Sequence, residues 1–218
     1  MSVLICSGVI ASGKSTLTTM LAKELGTTPF YESVEDNPVL PLFYKDPNKY
    51  TFLLQIYFLN TRFKSIKEAM KEDNNVLDRS IYEDEIFMRM NADMGRATET
   101  EWTVYKALLE NMMQELPFAA HKKRPDLLIH IKVSLPTMLK RINKRGREYE
   151  QLKNDPTLVD YYASLIRYYE DWYEKYDESP KILIDGDKYD FVENEDDRKV
   201  VLGMIKHKIG KIEAVPAL

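Results

Sequence analysis

The amino-terminal segment narrows the fold more than any other part of this chain. Val3-Leu4-Ile5-Cys6-Ser7 is an apolar run, Gly8-Val9-Ile10-Ala11-Ser12-Gly13-Lys14-Ser15-Thr16 follows, and Leu17, Met20, Leu21 and Leu25 then recur at helical spacing. Apolar run, Gly-x-x-x-x-Gly-Lys-Ser and amphipathic pattern read as strand, phosphate loop and helix. The glycines let backbone N–H groups curl round an anion without interference from a Cβ. A helix starting near Gly13 aims the positive end of its dipole at the same anion. Lys14 is expected to reach the β- and γ-phosphates and Ser15 to hold Mg²⁺. Gly8 to Thr16 thus form a binding loop for a nucleoside triphosphate.

The remaining pattern suits that opening. Short strands are expected at residues 29–33, 76–78, 127–133 and 181–184, and helices at 50–70, 81–90, 101–116, 136–147, 158–176 and 195–208. Gly26 reads as the cap of the first helix. Asn74-Asn75 end the long helix, and residues 117–125 read as a basic loop. Strands alternating with helices imply an α/β fold: a five-stranded parallel sheet flanked by helices, with ligands at the carboxyl ends of the strands. No linker divides the 218 residues, so a single domain spanning 1–218 is expected.

Composition excludes several classes. No apolar run approaches the ~20 residues that cross a bilayer. With 31 basic and 35 acidic residues, the net charge of −4 offers no general attraction to nucleic acid or to an anionic membrane. Met1-Ser2 lead directly into the strand without a basic leader, and the lone Cys6 rules out a disulfide scaffold. A reducing cytoplasm is the expected compartment. His121, His130 and His207 are scattered, which argues against a histidine metal site.

Among phosphate-loop proteins, a GTP switch needs Asn-Lys-x-Asp, which Asn143-Lys144-Arg145-Gly146 does not supply. Val76-Leu77-Asp78 has the form of a strand ending in a metal-linked carboxylate, but Arg79-Ser80 follow at once, unlike a motor or transporter. The basic helix carrying Arg141, Arg145 and Arg147 reads as a closing lid, about residues 141–153. Arg141 and Arg145 are four apart and share a face, so both guanidiniums are able to close on phosphates. Gln55 and Arg62, seven apart on the long helix, share a face as well. A Gln amide both donates and accepts, which suits an adenine edge. Glu32 and Asp78 are each expected at the end of a strand, where both would face one metal–phosphate site. Sequence alone does not separate their roles, with Glu32 preferred as base and Asp78 for the metal.

Taken together, Gly8 to Ser15, Tyr31-Glu32-Ser33-Val34, Phe43-Tyr44-Lys45-Asp46-Pro47, Phe52-Leu53-Leu54-Gln55, Asp78-Arg79-Ser80-Ile81-Tyr82, the lid from Leu139 to Glu150, and Asp185-Gly186-Asp187 resemble the deoxynucleoside kinase family over nearly the whole chain. Within it the pattern is most similar to bacterial deoxyadenosine/deoxyguanosine kinases. Asp78 stands where the family often has Glu, Ser33 where it has Pro, and Val9-Ile10-Ala11-Ser12 where Pro-Ile-Gly-Ala is common. The resemblance implies ATP as donor with Mg²⁺, and a deoxynucleoside, deoxyadenosine first, as acceptor of a phosphoryl group on its 5′-hydroxyl. It implies that Glu32 takes the hydroxyl proton while Arg79 stabilises the moving phosphoryl group. It pairs Asp84 with Arg62 near the base, assigns Tyr44 and Glu150 to the sugar 3′-hydroxyl, and sets Asp185 and Asp187 in the loop around the adenine of ATP. It also implies a homodimer through the helices at 50–70 and 101–116, and a deoxynucleoside triphosphate as feedback inhibitor occupying both sites. The alternatives are a nucleoside monophosphate kinase, which needs extra basic residues for an acceptor phosphate, and a non-catalytic nucleotide-binding regulator.

Overall fold

The computed structural model describes residues 3–32, 34, 36–71, 75–119 and 125–214. In chain order the elements are β1 (Val3–Gly8), α1 (Lys14–Leu25), β2 (Thr28–Phe30), α2 (Leu40–Lys45), α3 (Pro47–Ala69), β3 (Asn75–Asp78), a 3₁₀ turn (Ile81–Glu83), α4 (Asp84–Asp93), α5 (Glu99–Ala119), β4 (Leu127–Lys132), α6 (Leu135–Arg145), a second 3₁₀ turn (Glu148–Glu150), α7 (Leu158–Lys175), β5 (Lys181–Asp185) and α8 (Glu195–Glu213). The strands form one parallel sheet in the order β2-β3-β1-β4-β5.

All six residues of β1 are buried, as an apolar central strand must be when both faces of a parallel sheet are covered. Alternate side chains serve opposite layers. Val3 and Ile5 join Leu77 and Leu128 in a core closed by Leu59 and Ile66 of α3 and Tyr105 and Leu109 of α5. Leu4 and Cys6 join Val76 and Ile129 on the other face, closed by Leu17 and Leu21 of α1, Met138 and Ile142 of α6, and Val201 and Ile205 of α8. The result is the expected three-layer sandwich. Each fully buried Leu or Ile contributes about 2 kcal/mol of transfer free energy.

Local chemistry sets several boundaries. Gly26 ends α1 in the left-handed conformation with φ of 62°. The Asp46 carboxylate accepts from the backbone N–H of Lys49 at 3.2 Å, so α3 starts at Pro47, three residues before the apolar pattern does. Asn37 Oδ1 accepts from the N–H groups of Val39 and Leu40 and starts α2. β2 is only Thr28–Phe30, so Glu32 lies in the loop beyond it and not on the strand the sequence suggested. Residues 117–119 of the expected basic loop belong to α5, while Ser33, Asn74, His121 and the rest of 120–124 fall outside the described residues.

Cys6 pairs in register with Asp78, Gly8 with Ile131, and Lys132 with Asp185. The carboxyl ends of these strands therefore meet at one rim, where the topology places ligands.

Candidate active site

Gly8 ends β1 with φ of 143°, and a Cβ there would stand 2.6 Å from the Ile131 carbonyl oxygen. Gly13, at φ 105°, starts α1, where a Cβ would meet the Phe191 ring at 3.0 Å. Ala11 is left-handed too, at φ 59°, a cost of about 1 kcal/mol for a residue with a Cβ. The chain thus bends tightly between β1 and α1. Lys14 Nζ lies along this loop, donating to the Val9 carbonyl at 2.9 Å. Burial, together with the nearby Arg79 cation, lowers the Lys14 ammonium to about 8. Ser15 Oγ donates to Asp78 Oδ2, and Asp78 Oδ1 is buried with no hydrogen-bond partner. A hydroxyl beside a half-unsatisfied carboxylate, beneath a helix N-terminus, fits a hard divalent cation with phosphates. Thr16 lines the same cleft, and Ser12 is fully buried behind it.

Glu32 faces this loop, held by two arginines. Arg79 Nε lies 3.2 Å from Glu32 Oε1, and Arg62 Nη2 donates to the same oxygen. Burial alone would raise the Glu32 carboxyl; the charges of Arg79, Arg62 and Lys14 outweigh it and hold the group at about 2. Asp78 moves the opposite way, since its desolvation exceeds the pull of Lys14. The two carboxylates thus differ in their surroundings: Glu32 is clamped between cations, and Asp78 is buried with one oxygen free of partners. Arg79 has φ of 69°, a left-handed conformation costing about 1 kcal/mol or more and typical of constrained functional positions.

A cleft of about 1190 Å³ joins the loop to a slot on α3. Gln55 and Arg62 both line it, and each is more than nine-tenths buried. The Arg62 guanidinium lies 4.6 Å from the Phe58 ring centroid. Asp84 pairs with Arg62 as the resemblance implied, but it is fully buried and stands behind the arginine, not on the cleft wall. Phe43, Leu54, Phe87 and Tyr161 complete the apolar walls. Sequence reasoning missed these walls, because their spacing is that of ordinary core residues.

Over the loop, Arg141 donates to the carbonyls of Ser12 at 2.9 Å and Gly186 at 2.8 Å. Arg145 pairs with Glu150, and Arg147 Nη1 lies 3.7 Å from Glu150 Oε1. The 3₁₀ turn at Glu148–Glu150 places that carboxylate, 3% exposed, beside Tyr44, whose ring packs 5.0 Å from Tyr149. Asp187 lines the cleft while accepting from Ser134 N–H at 2.9 Å. Asp185 is not on the cleft wall; its carboxylate accepts from the N–H groups of Asp187 and Lys188 and shapes the turn. Lys140 and Lys144 of α6 line the mouth as well, two positions to which the sequence pattern assigned no role.

A parallel three-layer sandwich with a phosphate loop at its carboxyl rim, an arginine-bearing helix above it and an apolar-walled slot carrying Gln55 and Arg62 alongside has the P-loop kinase fold. A deoxynucleoside kinase family model matches residues 4–210. The chain is 63% identical over 216 residues to a deoxyguanosine kinase of Lactobacillus acidophilus, covering 99% of this chain and 94% of that protein. It is 57% identical over 210 residues to a deoxyadenosine kinase of the same organism, covering 96% and 97%. The deoxyadenosine kinase of M. mycoides solved with bound dATP superposes with a TM-score of 0.78 at 30% identity, covering 94% of this chain and 99% of that one. The chain belongs to the deoxynucleoside kinase family and is an enzyme of that class.

Proposed function

We propose that this enzyme transfers the γ-phosphoryl group of ATP to the 5′-hydroxyl of a purine deoxynucleoside, with deoxyguanosine ahead of deoxyadenosine. The observation that carries the reading is one continuous cleft in which Glu32 stands between the phosphate loop and the Gln55–Arg62 slot. Two features favour guanine over the adenine expected from Gln55. Arg62 lines the slot with its Nη groups paired to Glu32 and Asp84, which leaves Nε as the donor without a partner, and one guanidinium N–H suits an acceptor such as guanine O6. Asp84, the acceptor that would draw an exocyclic amino group, is screened by Arg62. The relative at 63% identity is named a deoxyguanosine kinase.

In this reading the loop N–H groups and Lys14 cradle the phosphates, and Ser15 and Asp78 hold Mg²⁺, which neutralises phosphate charge when bound. Glu32, anionic at neutral pH, accepts the hydrogen bond of the 5′-hydroxyl, orients it and takes its proton. Arg79 donates to the phosphoryl oxygens, with Arg141, Arg145 and Arg147 closing from above. Tyr44 and Glu150 hold the sugar. The protein works as one domain in the cytoplasm, as a homodimer, and a deoxynucleoside triphosphate spanning both sites inhibits it.

The test is a panel with ATP and Mg²⁺: deoxyguanosine, deoxyadenosine, deoxycytidine and thymidine against dGMP and dAMP. The expected result is the highest kcat/KM for deoxyguanosine and no turnover of monophosphates. Deoxyadenosine in first place would restore the adenine assignment. Turnover of monophosphates alone would make this a nucleoside monophosphate kinase, and ATP binding without any transfer would make it a regulator.

A further inference from the structure

The chemistry above uses Arg79 but leaves unexplained what stands behind it. Glu83, Tyr169, Ser7 and His130 form a polar cluster deep in the sheet layer, none more than 3% exposed. The Tyr169 hydroxyl donates to Glu83 Oε2 at 2.7 Å and accepts from Arg79 Nη1. A phenol has one proton, so donation to the carboxylate leaves a lone pair for the guanidinium. Glu83 Oε2 also accepts from Ser7 Oγ at 3.1 Å and lies 3.5 Å from Arg79 Nη1, while Oε1 accepts from Ser80 N–H. His130 Nδ1 continues the chain at 3.2 Å from Ser7 Oγ. Phe87 packs against the Arg79 guanidinium, 4.8 Å from ring centroid to Cζ. The guanidinium is therefore gripped at each nitrogen: Nε by Glu32 toward the cleft, Nη2 by the Gly8 carbonyl, which accepts at 3.3 Å, and Nη1 by Glu83 and Tyr169 toward the core.

We propose that Glu83 and Tyr169 are positioning residues for phosphoryl transfer, fixing the rear edge of Arg79 so that its front edge meets the reacting oxygens. A guanidinium is planar with its donors in a rigid fork, so holding one edge aims the other. Burying a carboxylate for stability alone is a poor use of it, since an apolar side chain of similar volume does as well or better. The left-handed backbone at Arg79 points the same way, because the surrounding structure over-determines this residue. Displacement of a catalytic group by about 1 Å is worth up to roughly a hundredfold in rate. The inference rests on the reading that Arg79 serves the transferred phosphoryl group.

The experiment is a double-mutant cycle of Tyr169→Phe with Arg79→Lys, following phosphorylation of deoxyguanosine. Tyr169→Phe keeps the ring and its packing and removes one oxygen. In the native background kcat is expected to fall about tenfold or more, with KM for both substrates within about twofold, and the melting temperature to fall by no more than about 8 °C, the cost of one lost buried hydrogen-bond partner. In the Arg79→Lys background the same change is expected to cost less than about twofold, because the group it positions is gone. Equal losses in both backgrounds, or a loss confined to KM or melting temperature, overturn the proposal. Glu83→Gln, taken through the same cycle with the same expected and overturning results, replaces Tyr169→Phe if that variant does not fold. A native enzyme that phosphorylates no deoxynucleoside sinks the underlying reading; an active enzyme with an additive cycle sinks only this inference.

Discussion

Glu32 shows how neighbouring charge fixes a protonation state that residue type leaves open. Its carboxyl sits at about 2 because Arg79, Arg62 and Lys14 outweigh its desolvation, so it is ionised throughout the neutral range. The stability this contributes is fully present above the ordinary value of 4.5 and is lost as pH falls toward 2. Glu32→Gln should lower kcat by about a hundredfold or more while the dissociation constant for deoxyguanosine moves far less. Turnover that survives intact would move the base role to Asp78. His130 gives a second test. Burial, then the Lys14, Lys132 and Arg79 cations, lower it from 6.5 to about 3, so the unfolded chain takes up a proton that the folded protein refuses. Stability should drop by roughly 1.6 kcal/mol between pH 6.5 and pH 5 on this account. His130→Gln should flatten that slope in urea unfolding; an unchanged slope would exonerate the histidine. Individual positions were legible where their chemistry is local, as with Gly8 and Gly13, whose positive φ the loop motif requires. The Arg62–Glu32 link was not, because it joins positions 30 apart through the fold.

Elements differ in how openly the sequence declares them. β1, the phosphate loop and α1 were readable in full, since the loop's geometry admits few residue types. Gly8→Ala puts this to the test: φ of 143° and a Cβ 2.6 Å from a backbone oxygen leave no accommodation. It should abolish ATP binding by calorimetry and cost more than about 2 kcal/mol of stability, whereas Gly95→Ala, with open space around it, should cost about 1. The start of α3 was misplaced because Asp46 caps it ahead of the apolar pattern. Ser80-Ile81-Tyr82-Glu83 carried a readable signal that went unused. It is a capping box, with Glu83 reaching back to the Ser80 N–H, and that signature would have drawn attention to Glu83. What no local pattern discloses is that the other oxygen of this carboxylate serves Tyr169 and Arg79.

The assembled chain leaves Leu53 on α3 and Val104 on α5 more than half exposed, on the two helices proposed as the dimer face. Light scattering should therefore give about twice the 25.5 kDa of one chain at micromolar concentration. A mass of one chain under those conditions would remove the dimer from the proposed function. The order of the sheet was foreseeable in type but not in strand sequence, because pairing between distant strands depends on which helix covers which face. The walls of the cleft come from positions as far apart as Ile10 and Glu193. A protease nick in any loop between them leaves neither piece with a complete catalytic pocket. Turnover after such a cut would measure how long the two halves cling together, which makes this scaffold a natural starting point for a split-enzyme reporter.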